Sequence, residues 1–276
     1  MDEIDASSKN PSLVADTLSK TICVQKTNTS ILKLIVLGIL AGLYIGFGSA
    51  IATLVATDVF RYVGLGLGKF FVGAVFSVGF ILIIVAGAEL FTGNNLMLMS
   101  ALDGQVPMSK VVYKWIVVYF ANFIGAVFLV AVMFGSGLWK EGHFVSGVAA
   151  LNIAKAKVGL AWGEAFWRGM LCNILLCLAF WMATASSSVI GKILAVFFPV
   201  TTFMALGYEH CISNMYFIPM GILLKGTSAA SLSGLNLSSL TWGNMIVNNL
   251  IPVTLGNMVG GAFVVSFLYW MVYVKQ

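Results

Sequence analysis

Charge is what this sequence has least of. Charged residues fill 9% of its 276 positions and hydrophobic residues 60%, with a mean hydropathy of +0.99. A soluble globular chain carries about 25% charged residues, so a water-soluble fold is excluded and one polytopic membrane protein is expected. The net charge of +5 comes without a basic cluster interleaved with aromatics, which argues against a nucleic-acid partner. Histidine is rarer still, at His143 and His210 alone, and Cys23, Cys172, Cys177 and Cys211 show no metal-ligand spacing. Paired haem ligation or a zinc site needs several ligands at one depth. No cofactor and no metal are therefore expected, and the chain does not read as an enzyme. The first residues also lack the apolar stretch of a cleavable export signal.

What is present is a set of apolar runs separated by short polar stretches. Residues 1–29 read as a polar, cytoplasmic tail with a short amphipathic helix on the membrane surface, started by Asn10-Pro11 and lined by Leu13, Val14, Leu18 and Ile22. Residues 30–275 read as a six-helix channel domain in the lipid bilayer. A straight helix crosses the hydrocarbon core in roughly 20 residues. The runs near 30–57, 111–134, 166–185 and 245–274 suit single spans, the last with a bend at Pro252. Two others, 72–102 and 193–224, are too long for one crossing and carry polar groups near their middles: Glu89-Leu90-Phe91-Thr92-Gly93-Asn94 and Glu209-His210-Cys211-Ile212-Ser213-Asn214. Polar groups at membrane depth face a bundle interior or a cavity, and irregular backbone survives there only when covered. Both runs therefore predict broken helices.

The two motifs are copies. Each sets an Asn five residues after a Glu, Asn94 after Glu89 and Asn214 after Glu209, with a hydroxyl, Thr92 or Ser213, close before it. The following span repeats as well, since Asn122-Phe123-Ile124-Gly125-Ala126 matches Asn257-Met258-Val259-Gly260-Gly261. Three crossings per copy is an odd number, so the second copy enters the membrane from the opposite side. The expected fold is all-α: two inverted three-helix repeats whose second and fifth helices are broken, an arrangement that places a binding site near the midplane. Polar connections are expected over 140–164 and 225–241. With six spans both termini share one side. The lysines divide almost evenly between the two sides, and the side of the termini is the better cytoplasmic candidate.

The stretches 88–94, 207–221, 172–181 and 255–261 resemble the formate–nitrite transporter family, and the resemblance covers nearly the whole membrane part. It implies an aquaporin-like protomer assembled as a homopentamer in the cytoplasmic membrane, each protomer with its own pore for small monovalent anions: formate first, then nitrite or hydrosulfide. On that resemblance His210 is the central pore histidine, Thr92 its partner at the first break, and Asn173 a pore-lining asparagine beside it. Lys157 is the vestibule lysine, with Glu209 and Asn214 on the same translocation path. Leu90, Phe91, Phe76, Phe80 and Phe203 form apolar constrictions, and Glu89 with Asn94 braces the first break. Phe80, where formate members carry leucine, and Ser213, where alanine is usual, depart from the family pattern.

A bare anion at low dielectric faces a Born cost of tens of kcal/mol. Half-helix N-termini offer free N–H donors, and an imidazole offers a hydrogen bond or a proton. The nearest rival is an aquaporin-like channel for neutral solutes, whose paired Asn-Pro-Ala signatures are missing: the sole Asn-Pro is Asn10-Pro11.

Overall fold

Residues 8–275 are described in the computed structural model of the protein, so the first seven residues of the expected tail lie outside them. Among the described residues the only β-type pairing is a single bridge, Ser8 to Ser186. Helix α1 (residues 11–28) runs Pro11–Thr17, passes through a π turn, Leu18–Ile22, and continues Cys23–Asn28. The Asn10 carboxamide accepts the Leu13 N–H at 2.9 Å and Pro11 fills the first position, as an N-cap and a proline without a usable N–H should. Of the four residues of its apolar face, Leu13 is exposed, Ile22 half-buried, and Val14 and Leu18 buried. Val14, Leu18 and Cys23 are buried against protein, because α1 is seated across the membrane helices.

The helices that follow are α2 (Ile31–Val55), α3 (Val59–Gly87), α4 (residues 93–102) and α5 (Met108–Gly135). Then come α6 (Glu141–Val158), α7 (Trp162–Ala185), α8 (Val189–Ala205), α9 (Cys211–Leu224), α10 (Ser228–Ser233) and α11 (Trp242–Tyr273). One repeat is α2, α3–α4 and α5; the other is α7, α8–α9 and α11. In each, the outer helices pack on one another, α2 on α5 and α7 on α11, and the two broken helices pack together through α3 and α8.

The matched glycines explain the tight outer pairs. A Cβ on Gly125 would overlap the Ile39 carbonyl, and one on Gly260 would overlap the Met170 carbonyl. Membrane helices gain little from apolar burial between them, so backbones must touch for dispersion to hold them. The opposite faces are apolar and outward. Along α5, Val112, Ile116, Phe120, Ile124 and Phe128 are exposed one turn apart, as a lipid-facing stripe requires.

Three connections differ from expectation. Helix α3 begins at Val59, well before the apolar run expected from residue 72, so Arg61 and Lys69 are helical, and Gly64 with φ +76° bends it near its start. The polar stretch 140–164 holds α6, because Gly147, Ala150, Leu151 and Ala154 form a buried apolar stripe at helical spacing within it, packed on α9. In α11 the irregularity extends beyond Pro252: π segments Met245–Leu250 and Val259–Phe267 flank a regular stretch, Ile251–Met258.

Candidate functional site

The two breaks are built alike. Each first half-helix ends on a left-handed glycine two residues before the glutamate, Gly87 at φ +85° and Gly207 at φ +73°. The next N–H reaches back five residues in both, Ala88 to the Ile83 carbonyl at 3.1 Å and Tyr208 to the Phe203 carbonyl at 2.9 Å. Only glycine takes that backbone conformation without strain, which makes it the usual residue just past a helix end.

A break at membrane depth orphans backbone groups, and each orphan costs free energy unless paired. One asparagine per repeat closes the break with both ends of its amide. Asn122 Oδ1 accepts the Phe91 N–H at 2.9 Å, and its Nδ2 donates to the carbonyls of Glu89 at 2.9 Å and Gly38 at 2.8 Å. Asn257 Oδ1 accepts the Cys211 N–H at 3.0 Å, and its Nδ2 donates to Glu209 at 2.9 Å and Gly169 at 2.7 Å. The glutamate N–H groups go to the flanking spans, Glu89 to Leu37 at 3.2 Å and Glu209 to Arg168 at 3.3 Å.

The carboxylates repeat too. Asn94 donates to Glu89 Oε2 at 2.9 Å and Asn214 to Glu209 Oε2 at 2.7 Å. Each carboxylate also holds one lysine. Lys157 Nζ, from the C-terminal turn of α6, lies 2.9 Å from Glu209 Oε1. Lys26 Nζ, from α1, lies 3.0 Å from Glu89 Oε2 and 2.9 Å from Asn94 Oδ1. Asn249 adds a further tie on the second side, accepting from Asn214 at 2.7 Å.

Between these ends lies the centre. The second half-helices α4 and α9 both begin there, so two helix N-termini face one another. Thr92 Oγ1 is 2.9 Å from His210 Nε2, and both residues are almost fully buried, at 0% and 1%. His210 also caps α9: its Nδ1 accepts the Ser213 N–H at 3.2 Å and lies 2.7 Å from Ser213 Oγ. The two hydroxyls therefore converge on one ring from opposite edges.

An aromatic cluster adjoins the ring. Phe80 and Phe203 lie 5.2 and 6.2 Å from the His210 ring, and Phe76 lies 5.7 and 6.0 Å from those two. Leu90 is buried at the first break. Phe91 turns toward α5 instead, edge-on to Tyr119 at 5.0 Å. Asn173 sits behind Thr92, donating to the Thr92 carbonyl at 3.3 Å, to Asn95 Oδ1 at 2.8 Å and to the Asn257 carbonyl at 2.7 Å.

On the side of the termini, a cavity of about 900 Å³ opens between α1 and the membrane helices, lined by Lys9, Lys26, Lys192 and Glu89. Its cationic excess raises the local anion concentration. Among the described residues no group of three or more His, Cys, Asp or Glu is placed to hold a metal.

Of the residues singled out from sequence, the structure joins Thr92 to His210, Lys157 and Asn214 to Glu209, Glu89 to Asn94, and Phe76 and Phe80 to Phe203. Sequence reasoning missed Lys26 and Asn249, and it saw the Asn122 and Asn257 repeat without a role for it. The left-handed glycines were findable, since Gly87 and Gly207 each stand two residues before the repeated glutamate.

Comparison with known proteins places this geometry. The family model described as Formate/nitrite transporter matches residues 14–271. A probable formate transporter of Methanothermobacter thermautotrophicus is 39% identical over 286 residues, covering 98% of this chain and 99% of the relative. The formate channel FocA of Escherichia coli K12 is 35% identical over 259 residues, 92% of this chain and 90% of its own length. Among solved structures, a pentameric formate channel with formate bound superposes with a TM-score of 0.80 at 36% identity, over 89% of this chain and 98% of that one.

Proposed function

The chain belongs to the formate/nitrite transporter family, and from that premise we propose that it is a formate channel. It works as a homopentamer in the cytoplasmic membrane with its termini in the cytoplasm, one pore running through each protomer, and residues 30–275 as the channel domain behind a 1–29 tail. Nitrite and hydrosulfide are secondary substrates of the same path. The observation that carries the reading is the Thr92–His210 pair, buried where two half-helices start and flanked on either side by a lysine–glutamate–asparagine group.

The path works by offsetting desolvation in stages. Lys26 and Lys157 draw the anion toward the breaks, each held in place by its glutamate. The Phe76, Phe80 and Phe203 rings disfavour a bare charge. At the centre the anion meets the positive ends of α4 and α9, the Thr92 hydroxyl and the His210 Nε2–H, with Asn173 fixing the Thr92 backbone. A neutral imidazole does not release its last proton, so protonation of the anion requires the imidazolium. That ring passes its Nε2 proton to formate, leaving formic acid and a neutral ring protonated at Nδ1. A proton from solvent restores the imidazolium. The neutral acid then passes the apolar rings.

The test is flux into proteoliposomes of formate, nitrite, hydrosulfide and glycerol, for the parent and for His210→Asn. Saturable formate flux that exceeds glycerol flux, and loses its pH dependence in His210→Asn, is expected. Glycerol flux without anion preference would favour the neutral-solute channel instead.

A further inference from the structure

Ser213 is the one group placed to hold the inner edge of the His210 ring in every protonation state. Its backbone N–H points at Nδ1 from 3.2 Å, and an N–H can only donate. The neutral ring in this geometry therefore carries its proton on Nε2 and offers the Nδ1 lone pair as the cap of α9. Once Nδ1 gains a proton, that N–H faces another N–H, and a buried donor without an acceptor is costly. The Ser213 hydroxyl, 2.7 Å away and buried, removes the conflict. It donates to a bare Nδ1 and rotates to accept from a protonated one, since a hydroxyl does both. Ser213 Oγ has no other hydrogen-bond partner among the described residues.

The pairing is confined to one repeat. Aligning Glu89 with Glu209 sets Leu90 against His210 and Gly93 against Ser213. The copy without the imidazole has no hydroxyl at the aligned position, and a Cβ on Gly93 would meet the Phe180 ring.

We infer that Ser213 is a positioning residue for His210: its hydroxyl is the acceptor that lets Nδ1 carry a proton while Nε2–H stays aimed at Thr92. The inference concerns the ring itself and rests on the channel reading only for its effect on flux. The other titratable groups around the ring are Glu209 with its partner Lys157, Glu89 with Lys26 across the first break, Cys211 next in sequence, and Cys177, whose Sγ is 3.7 Å from the Thr92 carbonyl. None of them is hydrogen-bonded to Nδ1.

The test uses the full chain with ¹⁵N-labelled histidine and His143→Gln, which leaves His210 as the one remaining histidine. Nitrogen NMR in liposomes then follows Nδ1 and Nε2 against pH. The parent is expected to show an Nε2–H neutral ring that gains the Nδ1 proton on acidification. In Ser213→Ala, the ratio of rings protonated at Nδ1 to neutral rings, at a given pH on the rising limb, falls roughly three- to tenfold. That is the worth of one hydrogen bond read as a population. Ser213→Thr restores the parent curve. Ser213→Cys, with its weaker acceptor and similar volume, falls between the two and serves if the alanine variant does not assemble. The formate flux profile of Ser213→Ala moves to lower pH in step, with its maximum preserved. Superimposed parent and Ser213→Ala titrations, a resting neutral ring protonated at Nδ1 in formate-free liposomes, or a parent ring that never gains the second proton would each overturn the inference. A parent that shifts as expected by NMR yet passes no formate would sink the channel reading and leave the role of Ser213 standing.

Discussion

Asn257 holds a backbone N–H and two carbonyls with one carboxamide. Replacing it with leucine orphans the Cys211 N–H and the Glu209 carbonyl together and removes the tie to the Gly169 carbonyl inside α7. Each buried polar group left unpaired costs about 1–3 kcal/mol. Asn257→Leu is therefore expected to lower the thermal midpoint of the detergent-solubilised protein clearly, and Asn122→Leu to do the same at the first break. Asn257→Asp keeps the acceptor for Cys211 but sets a buried carboxylate against two carbonyl oxygens, so it should destabilise at least as much. Melting curves followed by size-exclusion chromatography measure this, and a leucine variant as stable as the parent would show that the breaks do not need their asparagines. The residue types behind the bracing were legible as the Asn122/Asn257 repeat. Their role was not, because Gly38 and Gly169, whose carbonyls they reach, lie 84 and 88 positions away.

At the scale of elements, α1 is the helix whose packing partner periodicity alone does not name. Its apolar stripe is real, but a stripe does not say whether lipid or protein covers it. Docked on the bundle, α1 buries Cys23, and that burial pushes the thiol up to about 12. The thiolate is the reactive species, so Cys23 is expected to resist a charged maleimide at neutral pH in the intact protein. Leu18→Asp, which puts a charge into the buried face, should undock α1 and raise labelling of Cys23, read by peptide mass spectrometry. Rapid labelling of the parent would contradict a docked α1. Between the outer helices the governing contact is backbone on backbone. Gly260→Val is expected to prevent α7 and α11 from closing and to abolish a monodisperse species, whereas Ala126→Gly, which adds no bulk, should not. Helix α6 shows the converse of α1: its buried stripe was present within a segment read as a polar connection, masked by Glu141, His143, Lys155 and Lys157.

At the scale of the whole molecule, one lysine–glutamate pair stands beside each break, Lys26 with Glu89 and Lys157 with Glu209. If these lysines stand at the mouths of the proposed pore, their charges act through solvent over about 8–10 Å at moderate ionic strength. Lys26→Met and Lys157→Met are therefore each expected to reduce formate flux more at low salt than at high salt, a difference that parallel proteoliposome assays measure. Equal loss at both ionic strengths would mean that the lysines act by structure alone. Removing the half-buried Lys26 strands the buried Glu89 carboxylate without its cation. Lys26→Met should consequently destabilise the protein, and the double variant Lys26→Met/Glu89→Gln should recover most of the lost stability without recovering the flux.

The sequence by itself determined the membrane setting, the crossings and the two broken helices. These follow from local quantities: run length against bilayer thickness, charge scarcity, and a Glu-to-Asn spacing that recurs in the same order. What only the tertiary structure decided was which distant groups complete each break. Lys26 comes to Glu89 from 63 positions away and Lys157 to Glu209 from 52. Thr92 and His210, 118 apart, meet because an inverted repeat brings its two breaks to one depth. A spacing rule acts along a helix or a strand. It does not act across a fold, where buried polar groups take whichever partner the packing of α2, α5, α7 and α11 brings within hydrogen-bond reach.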